Sequence, residues 1–163
     1  MVRNRTLRVA RWALAAGLAA GLAGCMNGVD PDNNPWTAGE GVVQKGPLQR
    51  GSWVNVSELS SSTFQPNGRS FNFTVLDDFG RFNPKGTVFT SSYIETTALG
   101  YCFDELTGKP SDSMVLLRGF GKAGDPAINV NLLTSLISGR QRELMTRATN
   151  RLSFENARIQ AQV

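Results

Sequence analysis

The chain has 163 residues, a length that fits one domain with a single hydrophobic core. It contains 17 Lys and Arg residues against 13 Asp and Glu residues, and it contains no histidine. The lack of histidine excludes Ser–His or Cys–His nucleophile activation and histidine-bound metal sites.

The N-terminus has the pattern of an export signal. Four arginines precede an apolar and glycine-rich run at 12–23, and the run leads into Leu22-Ala23-Gly24-Cys25. This run is well short of the roughly 20 residues of a membrane-spanning helix. The small residues before the cysteine resemble the lipobox of bacterial lipoproteins, which implies removal of residues 1–24 and anchoring in membrane lipid through acylated Cys25. The alternatives are an ordinary signal peptide that contains a cysteine, or a short buried helix.

Cleavage at this point changes the charge of the chain. The arginines at positions 3, 5, 8 and 11 leave with the signal, so 17 minus 4 basic residues remain against 13 acidic residues. The mature chain is formally neutral, and we expect no nucleic-acid partner because such proteins keep a basic patch.

In enteric lipoproteins an aspartate after the cysteine resembles an inner-membrane retention signal. Met26 stands there, so we expect a lipid-anchored protein of the cell envelope, at the outer membrane.

Residues 25–41 are rich in Asn, Asp, Pro and Gly. This composition buries too little apolar surface to fold, so the segment is predicted to be a flexible tether. Trp36 within it fits docking either on the folded domain or at the membrane interface, and the sequence leaves both open.

Residues 42–130 alternate short β-branched and aromatic runs with turn-forming residues, which is typical of a β-sandwich. In the run 52–59, Val54 and Val56 share one face and Trp53 and Asn55 share the other. Asn67-Gly68 is a turn signal. Strands are predicted at 41–44, 52–59, 71–76, 93–98, 101–105 and 114–118.

In residues 131–163 the apolar residues recur with the spacing of a helix. We expect an amphipathic helix from Asn131 onward, interrupted at Gly139 at a cost of about 1 kcal/mol relative to alanine. Ser153 is a good N-cap for a second helix over 154–163. The apolar positions of the first helix are Leu132, Leu133, Leu136, Ile137, Leu144, Met145 and Ala148.

A turn motif, Asp77-Asp78-Phe79-Gly80-Arg81-Phe82, follows the predicted 71–76 strand. An Asp side chain caps N–H groups two residues on, Gly supplies a positive φ, and the Phe returns to the core, so a tight hairpin is predicted. Asp77, Gly80 and Phe82 match the Asp-x-x-Gly-x-Phe hairpin of the carboxypeptidase regulatory-like domain, a transthyretin-like β-sandwich that this part of the chain resembles. In carboxypeptidases this module carries no active site, so the resemblance implies no catalytic residues.

The resemblance extends along most of 42–163 to a group of bacterial surface lipoproteins with this fold. Leu48 and Cys102 depart from it, since the group favours aromatic residues there. The expected fold class is mainly β: a transthyretin-like or Ig-like β-sandwich at 42–130, followed by one or two amphipathic helices at 131–163. The similar segments are 46–54, 93–95, 100–108, 129–134 and 153–157.

The leading functional hypothesis is a lipid-anchored, non-catalytic interaction or structural module that meets an envelope protein or a glycan, without a metal or cofactor. A calcium- or carbohydrate-binding module and a carboxylate-based hydrolase are the alternatives. Cys102 is predicted to be a small buried apolar residue. The acids considered for the calcium and hydrolase alternatives are Asp77, Asp78, Asp104 and Glu105.

The predicted helices carry five arginines against two glutamates, a local excess of three positive charges. Such an excess fits contact with anionic lipid or a negatively charged partner, and a solvated polar face is the alternative. The arginines are Arg140, Arg142, Arg147, Arg151 and Arg158.

Overall fold

The computed structural model describes residues 36–37 and 39–163, which form a mainly β architecture followed by two helices. The mainly β prediction with C-terminal helices is therefore confirmed. The strands are β1 (Trp36–Thr37), β2 (Glu40–Gln44), β3 (Trp53–Leu59), β4 (Pro66–Thr74), β5 (Arg81–Phe82), β6 (Val88–Phe89), β7 (Tyr93–Gly100), β8 (Phe103–Asp104), β9 (Lys109–Pro110), β10 (Val115–Lys122) and β11 (Ala127–Asn131). The helices are α1 (Leu132–Thr146) and α2 (Phe154–Ala161).

The main sheet has the strand order β10-β7-β3-β4, and all its pairs are antiparallel. Its strands follow the period of two: Val54 and Val56 of β3 are fully buried, whereas Trp53 is 43% exposed. The predicted division of this strand into two faces is confirmed. We call the face that carries Val54 and Val56 the inner face, and the face that carries Trp53 the outer face.

A second sheet has the order β11-β2-β5. Its strands β11 and β2 are parallel and pair Val130 with Val43, and both side chains are buried. The two sheets share one apolar core, so burial of β-branched and aromatic side chains between them stabilises the domain. The buried core residues are Val43, Leu48, Val54, Val56, Val75, Phe82, Phe89, Ile94, Ala98, Cys102, Leu117, Ala123, Ile128 and Val130.

Each helix begins at an N-cap residue, of which only Ser153 is predicted as a cap from the sequence. Asn131 caps α1: its side chain accepts from the Thr134 N–H at 2.9 Å, and the Thr134 hydroxyl accepts from the Asn131 N–H at 2.9 Å. Ser153 caps α2, as predicted. Both helices build a second apolar cluster that includes part of the sheet, and α1 runs through Gly139 without a break. The buried residues of this cluster are Phe64, Leu144, Met145, Phe154, Ala157 and Ala161.

The predicted apolar stripe of α1 is buried only in part. Leu144 and Met145 are buried as predicted, but Leu133 and Leu136 are each 71% exposed, and Gln141 is 2% exposed. The first half of α1 instead makes polar contacts with the edge strand β10, where Ser135 Oγ accepts from the Arg118 N–H at 2.7 Å. These contacts cover a strand edge whose N–H and C=O groups have no neighbouring strand, and they fix which side of α1 meets the sheet.

The predicted turn at Asn67-Gly68 is wrong, because both residues lie within β4 beside a register shift opposite β3. Gly68 has a φ of 94° and lies at an irregularity where three residues of β4, 67–69, face the single residue Glu58 of β3. The chain reverses earlier, at 60–65, where the Ser60 N–H donates to the Gln65 carbonyl at 2.8 Å. The predicted 101–105 strand is reduced to β8, which pairs with β9.

The predicted signal and Cys25 lie outside the described residues. Trp36–Thr37, within the predicted tether, pairs with Val88–Phe89 of β6. In the part of the chain that the structure covers, neither helix is long and apolar enough to cross a membrane.

Candidate functional site

The turn motif after β4 forms the predicted Asp-capped turn, but the predicted hairpin is wrong, because β4 belongs to the main sheet and β5 pairs with β2 in the second sheet. Asp77 Oδ1 accepts from the N–H groups of Phe79 at 3.0 Å and Arg81 at 3.2 Å, and Oδ2 accepts from Arg81 Nε at 2.6 Å. Burial raises the pKa of Asp77, but the hydrogen bonds from Arg81 and Phe79 outweigh it, so this pKa lies below its ordinary value. The carboxylate is therefore engaged in shaping its own turn.

The other two residues of the motif connect this turn to the second sheet. Gly80 has a φ of 76°, and its carbonyl accepts from the Val43 N–H at 2.9 Å. A Cβ at this position would overlap the Val43 carbonyl oxygen, so the close approach requires glycine. Phe82 is buried in the core, where its ring centroid lies 5.8 Å from that of Phe73.

The other candidate acids also lie in turns. Asp78 Oδ1 accepts from the Arg50 N–H at 3.2 Å. Asp104 accepts from the Leu106 N–H and the Thr107 hydroxyl, each at 2.9 Å, and these bonds lower its pKa. Glu105, the fourth candidate, is exposed. Across residues 36–37 and 39–163, no group of three or more His, Cys, Asp or Glu side chains is arranged to hold a metal ion.

Cys102 is 5% exposed and belongs to the apolar core, so its predicted burial is confirmed. It forms an isolated β-bridge with Leu48. On its other side it lines an open groove of about 400 Å³ between Lys45-Gly46 and the β8–β9 hairpin. Packing accounts for this residue.

A buried carboxylate, Glu58 of β3, was not among the predicted site residues. Its side chain is fully buried and bonded to Thr90 N–H at 2.8 Å, Thr90 Oγ1 at 2.7 Å and Asn67 Nδ2 at 3.0 Å, with Arg69 Nε at 3.4 Å. Burial raises the pKa of Glu58, but the hydrogen bonds from Asn67 and Thr90 outweigh it and the pKa is lowered. Glu58 lies two residues after the buried Val56, so the alternation of the strand places both side chains on the same face. This spacing is the sequence signal that could have indicated its burial.

A cavity of about 250 Å³ is bounded by β7, β10, β11, α1 and α2. Gly121 of β10 leaves space beside the strand, whereas a Cβ at Gly119 would lie 3.1 Å from Thr134 Oγ1. A Cβ at Gly121 would lie 3.8 Å from Ile94 Cγ1 and 3.9 Å from Asp125 Oδ2, which are ordinary van der Waals distances. The cavity is therefore open at a point where most strand residues would place a side chain.

Gln141 of α1 lines this cavity and is 2% exposed. Its Nε2 atom has no hydrogen-bond partner among the described residues. An amide donor that is buried without an acceptor costs about 1–3 kcal/mol. The sequence did not predict this residue, because glutamine on a helix is ordinarily exposed.

Four charged side chains lie at or beside the cavity. Glu155 of α2 accepts from Lys122 Nζ at 2.6 Å and from Arg158 Nη2 at 3.0 Å. The hydrogen bond to Glu155 raises the pKa of Lys122, and the same bond lowers the pKa of Glu155. Asp125 Oδ2 accepts from the Lys122 N–H at 3.1 Å. Two cations and two carboxylates therefore balance around the cavity.

The outer face of the main sheet carries a row of exposed apolar side chains. Trp53, Leu99 and Leu116 are 43%, 38% and 48% exposed, and the strand register places them side by side. Asn55 follows on the same face and donates through Nδ2 to Asn72 Oδ1 at 2.9 Å. On this face, the apolar side chains therefore lie next to the side-chain amides of Asn55 and Asn72.

The arginines of the helices are partly engaged within the protein. Arg142 forms an ion pair with Glu95 of β7, and its guanidinium carbon lies 5.1 Å from the ring centroid of Phe120. Arg158 is paired with Glu155. These pairs reduce the positive charge that the helices offer to anionic lipid.

Comparisons with protein-family models, with curated proteins and with solved structures find no match to this chain.

Proposed function

We propose that this protein is a lipid-anchored protein of the bacterial outer membrane, with a transthyretin-like or Ig-like β-sandwich that serves as a non-catalytic interaction or structural module. The anchor rests on the N-terminal sequence, in which Cys25 follows Leu22-Ala23-Gly24 and a short apolar run. Several acyl chains on one residue give stable attachment, since one chain alone binds only marginally.

The observation that supports a non-catalytic module best is the use of the candidate acids in turns. Asp77, Asp78 and Asp104 each accept a backbone N–H bond at a turn. A glycosidase-type mechanism needs two carboxylates on either side of one scissile bond. These acids belong to two separate turns, and their hydrogen bonds already account for their positions.

The outer-face row of Trp53, Leu99 and Leu116 is the surface we assign to contact with an envelope protein or a glycan. Exposed apolar side chains that lie side by side mark interaction surfaces better than scattered ones do. A carbohydrate-binding module is the second candidate, because Trp53 offers an aromatic face close to the amides of Asn55 and Asn72.

The anchor is tested by the intact mass of the membrane-extracted protein, with separation of inner and outer membranes. We expect a chain that begins at Cys25 and carries acyl chains in the outer-membrane fraction. Cys25→Ser should lose this mass and the membrane attachment, whereas Cys102→Ser, the matched control, should keep both. An unmodified chain, or one cut elsewhere, would contradict the lipid anchor.

The glycan candidate is tested by co-sedimentation of the Cys25→Ser protein with purified peptidoglycan. Trp53→Ala should reduce sedimentation, whereas Phe79→Ala, a control at a side chain that is 68% exposed on the turn after β4, should not. Equal sedimentation of both variants and the parent would remove the outer-face row from glycan binding.

A further inference from the structure

We infer that the cavity beside Gln141 binds a small molecule with a carbonyl or carboxylate oxygen at one end and a compact apolar group at the other. This site involves neither Cys25 nor the side chains of the outer-face row. It can therefore hold or fail independently of the proposed function.

The polar end of the ligand follows from Gln141. Gln141 lines the cavity, and its Nε2 atom is a buried donor without an acceptor among the described residues. Nearly all buried polar groups in folded proteins have a partner, so an orphan donor in a cavity indicates a missing acceptor. A carbonyl or carboxylate oxygen supplies one with the geometry that an amide N–H prefers.

The apolar end follows from the other side chains that line the cavity. Ile94, Ile128 and Val130 are buried there, and Gly121 keeps the space beside β10 free. The volume of about 250 Å³ equals that of about eight waters at some 30 Å³ each. Such a space holds a short branched chain and excludes a large cofactor.

The charge balance at the cavity limits the ligand further. Lys122 and Arg158 line it, and both already bind Glu155. Asp125 supplies a carboxylate to the lining itself. With two cations and two carboxylates in balance, a neutral amide meets no net charge there, and a single carboxylate would have to bind Lys122 and Arg158 beside Glu155. A multiply charged anion would lack enough partners.

The probes are isovaleramide and isovalerate, which share one branched chain and differ in charge. Each is titrated into the millimolar range with the isotope-labelled Cys25→Ser protein, and the amide signals of Gln141, Gly119 and Gly121 are followed by NMR. We expect saturable shifts at these three residues. Binding of both probes assigns recognition to the carbonyl oxygen, and binding of isovalerate alone assigns it to the cations.

Two variants and one control complete the test. Gln141→Met removes the orphan donor and should weaken binding by about tenfold or more, the equivalent of one hydrogen bond. Gly121→Val fills the cavity and should abolish binding while the protein stays folded. Gln160→Met, an exposed change on α2, should bind like the parent. If neither probe gives a saturable shift, or Gln141→Met binds as well as the parent, the proposal is overturned.

Discussion

Thr90 binds both carboxylate oxygens of the buried Glu58: its N–H donates to Oε1 at 2.8 Å and its hydroxyl donates to Oε2 at 2.7 Å. Glu58 lies in β3, and Thr90 follows the two-residue strand β6. The pair therefore fastens a segment with little regular structure to the main sheet. Asn67 adds a third bond, so the carboxylate is buried with its hydrogen-bonding capacity in use.

Removal of this carboxylate should destabilise the protein more than its size suggests. Glu58→Ala leaves the donors of Thr90 and Asn67 without an acceptor, and we expect a loss of about 3 kcal/mol in the free energy of unfolding. Glu58→Gln keeps the shape and one acceptor oxygen, so its loss should be smaller. Urea unfolding measures both, and Glu105→Gln, an exposed control, should stay within about 0.5 kcal/mol of the parent. An equal effect of Glu58→Ala and the control would show that the network contributes nothing.

The same network should make stability depend on pH. Burial raises the pKa of Glu58, but the bonds from Asn67 and Thr90 hold it below the ordinary value of 4.5. The unfolded chain then takes up the proton at higher pH than the folded protein does. The contribution of Glu58 to stability is therefore complete above its pKa in the unfolded chain. It is lost as the pH falls through its pKa in the folded protein.

The measurement is the urea midpoint between about pH 7 and about pH 3, across the titration range of carboxyl groups. Over this range, the urea midpoint of the parent should decrease by more than the urea midpoint of Glu58→Gln. Asp77, whose pKa is also lowered, remains in both proteins and gives a shared background. The same decrease in both would show that Glu58 does not contribute to acid unfolding.

Local patterns in the sequence sufficed for many strands, the helix cap at Ser153 and the Asp77 turn. Each depends on residues that are near one another in the chain: the alternation of Val54 and Val56, the cap at Ser153, and the three bonds of Asp77 within its own turn. Such features follow from backbone geometry and short-range hydrogen bonds, so a single sequence carries them.

The features that the sequence did not predict depend on distant partners. Asn67-Gly68 was read as a turn, yet Asn67 lies in β4, where its side chain binds Glu58. Likewise, helical periodicity favours Leu133 for burial, but this end of α1 binds Arg118 of β10 through Ser135, and Leu133 is 71% exposed. Gln141 is buried beside Leu144, although glutamine on a helix is ordinarily exposed.

A comparison of two glycines with positive φ distinguishes the cost of backbone strain from the cost of a steric overlap. Gly80 has a φ of 76° and lies against the Val43 carbonyl, whereas Gly86 has a φ of 84° and open space at the Cβ position. Gly86→Ala should cost about 1 kcal/mol for the left-handed backbone alone. Gly80→Ala should cost about 3 kcal/mol, because the turn must also move away from β2. Equal losses in thermal or urea unfolding would show that the contact with Val43 adds nothing.

The attachment of α1 to the main sheet should depend on the ion pair between Arg142 and Glu95. Glu95 is largely buried in β7, and the guanidinium of Arg142 also lies over the Phe120 ring, so the pair is shielded from water on two sides. In a double-mutant cycle with Arg142→Met and Glu95→Gln, we expect a coupling energy of about 1–2 kcal/mol.

The exposed pair of Lys85 and Glu40, with Nζ and Oε1 2.9 Å apart, is the matched control and should couple by less than about 0.5 kcal/mol. Salt should weaken the control coupling more, since solvent ions screen an exposed pair fully. Equal coupling in the two cycles would mean that burial against β7 does not strengthen the pair.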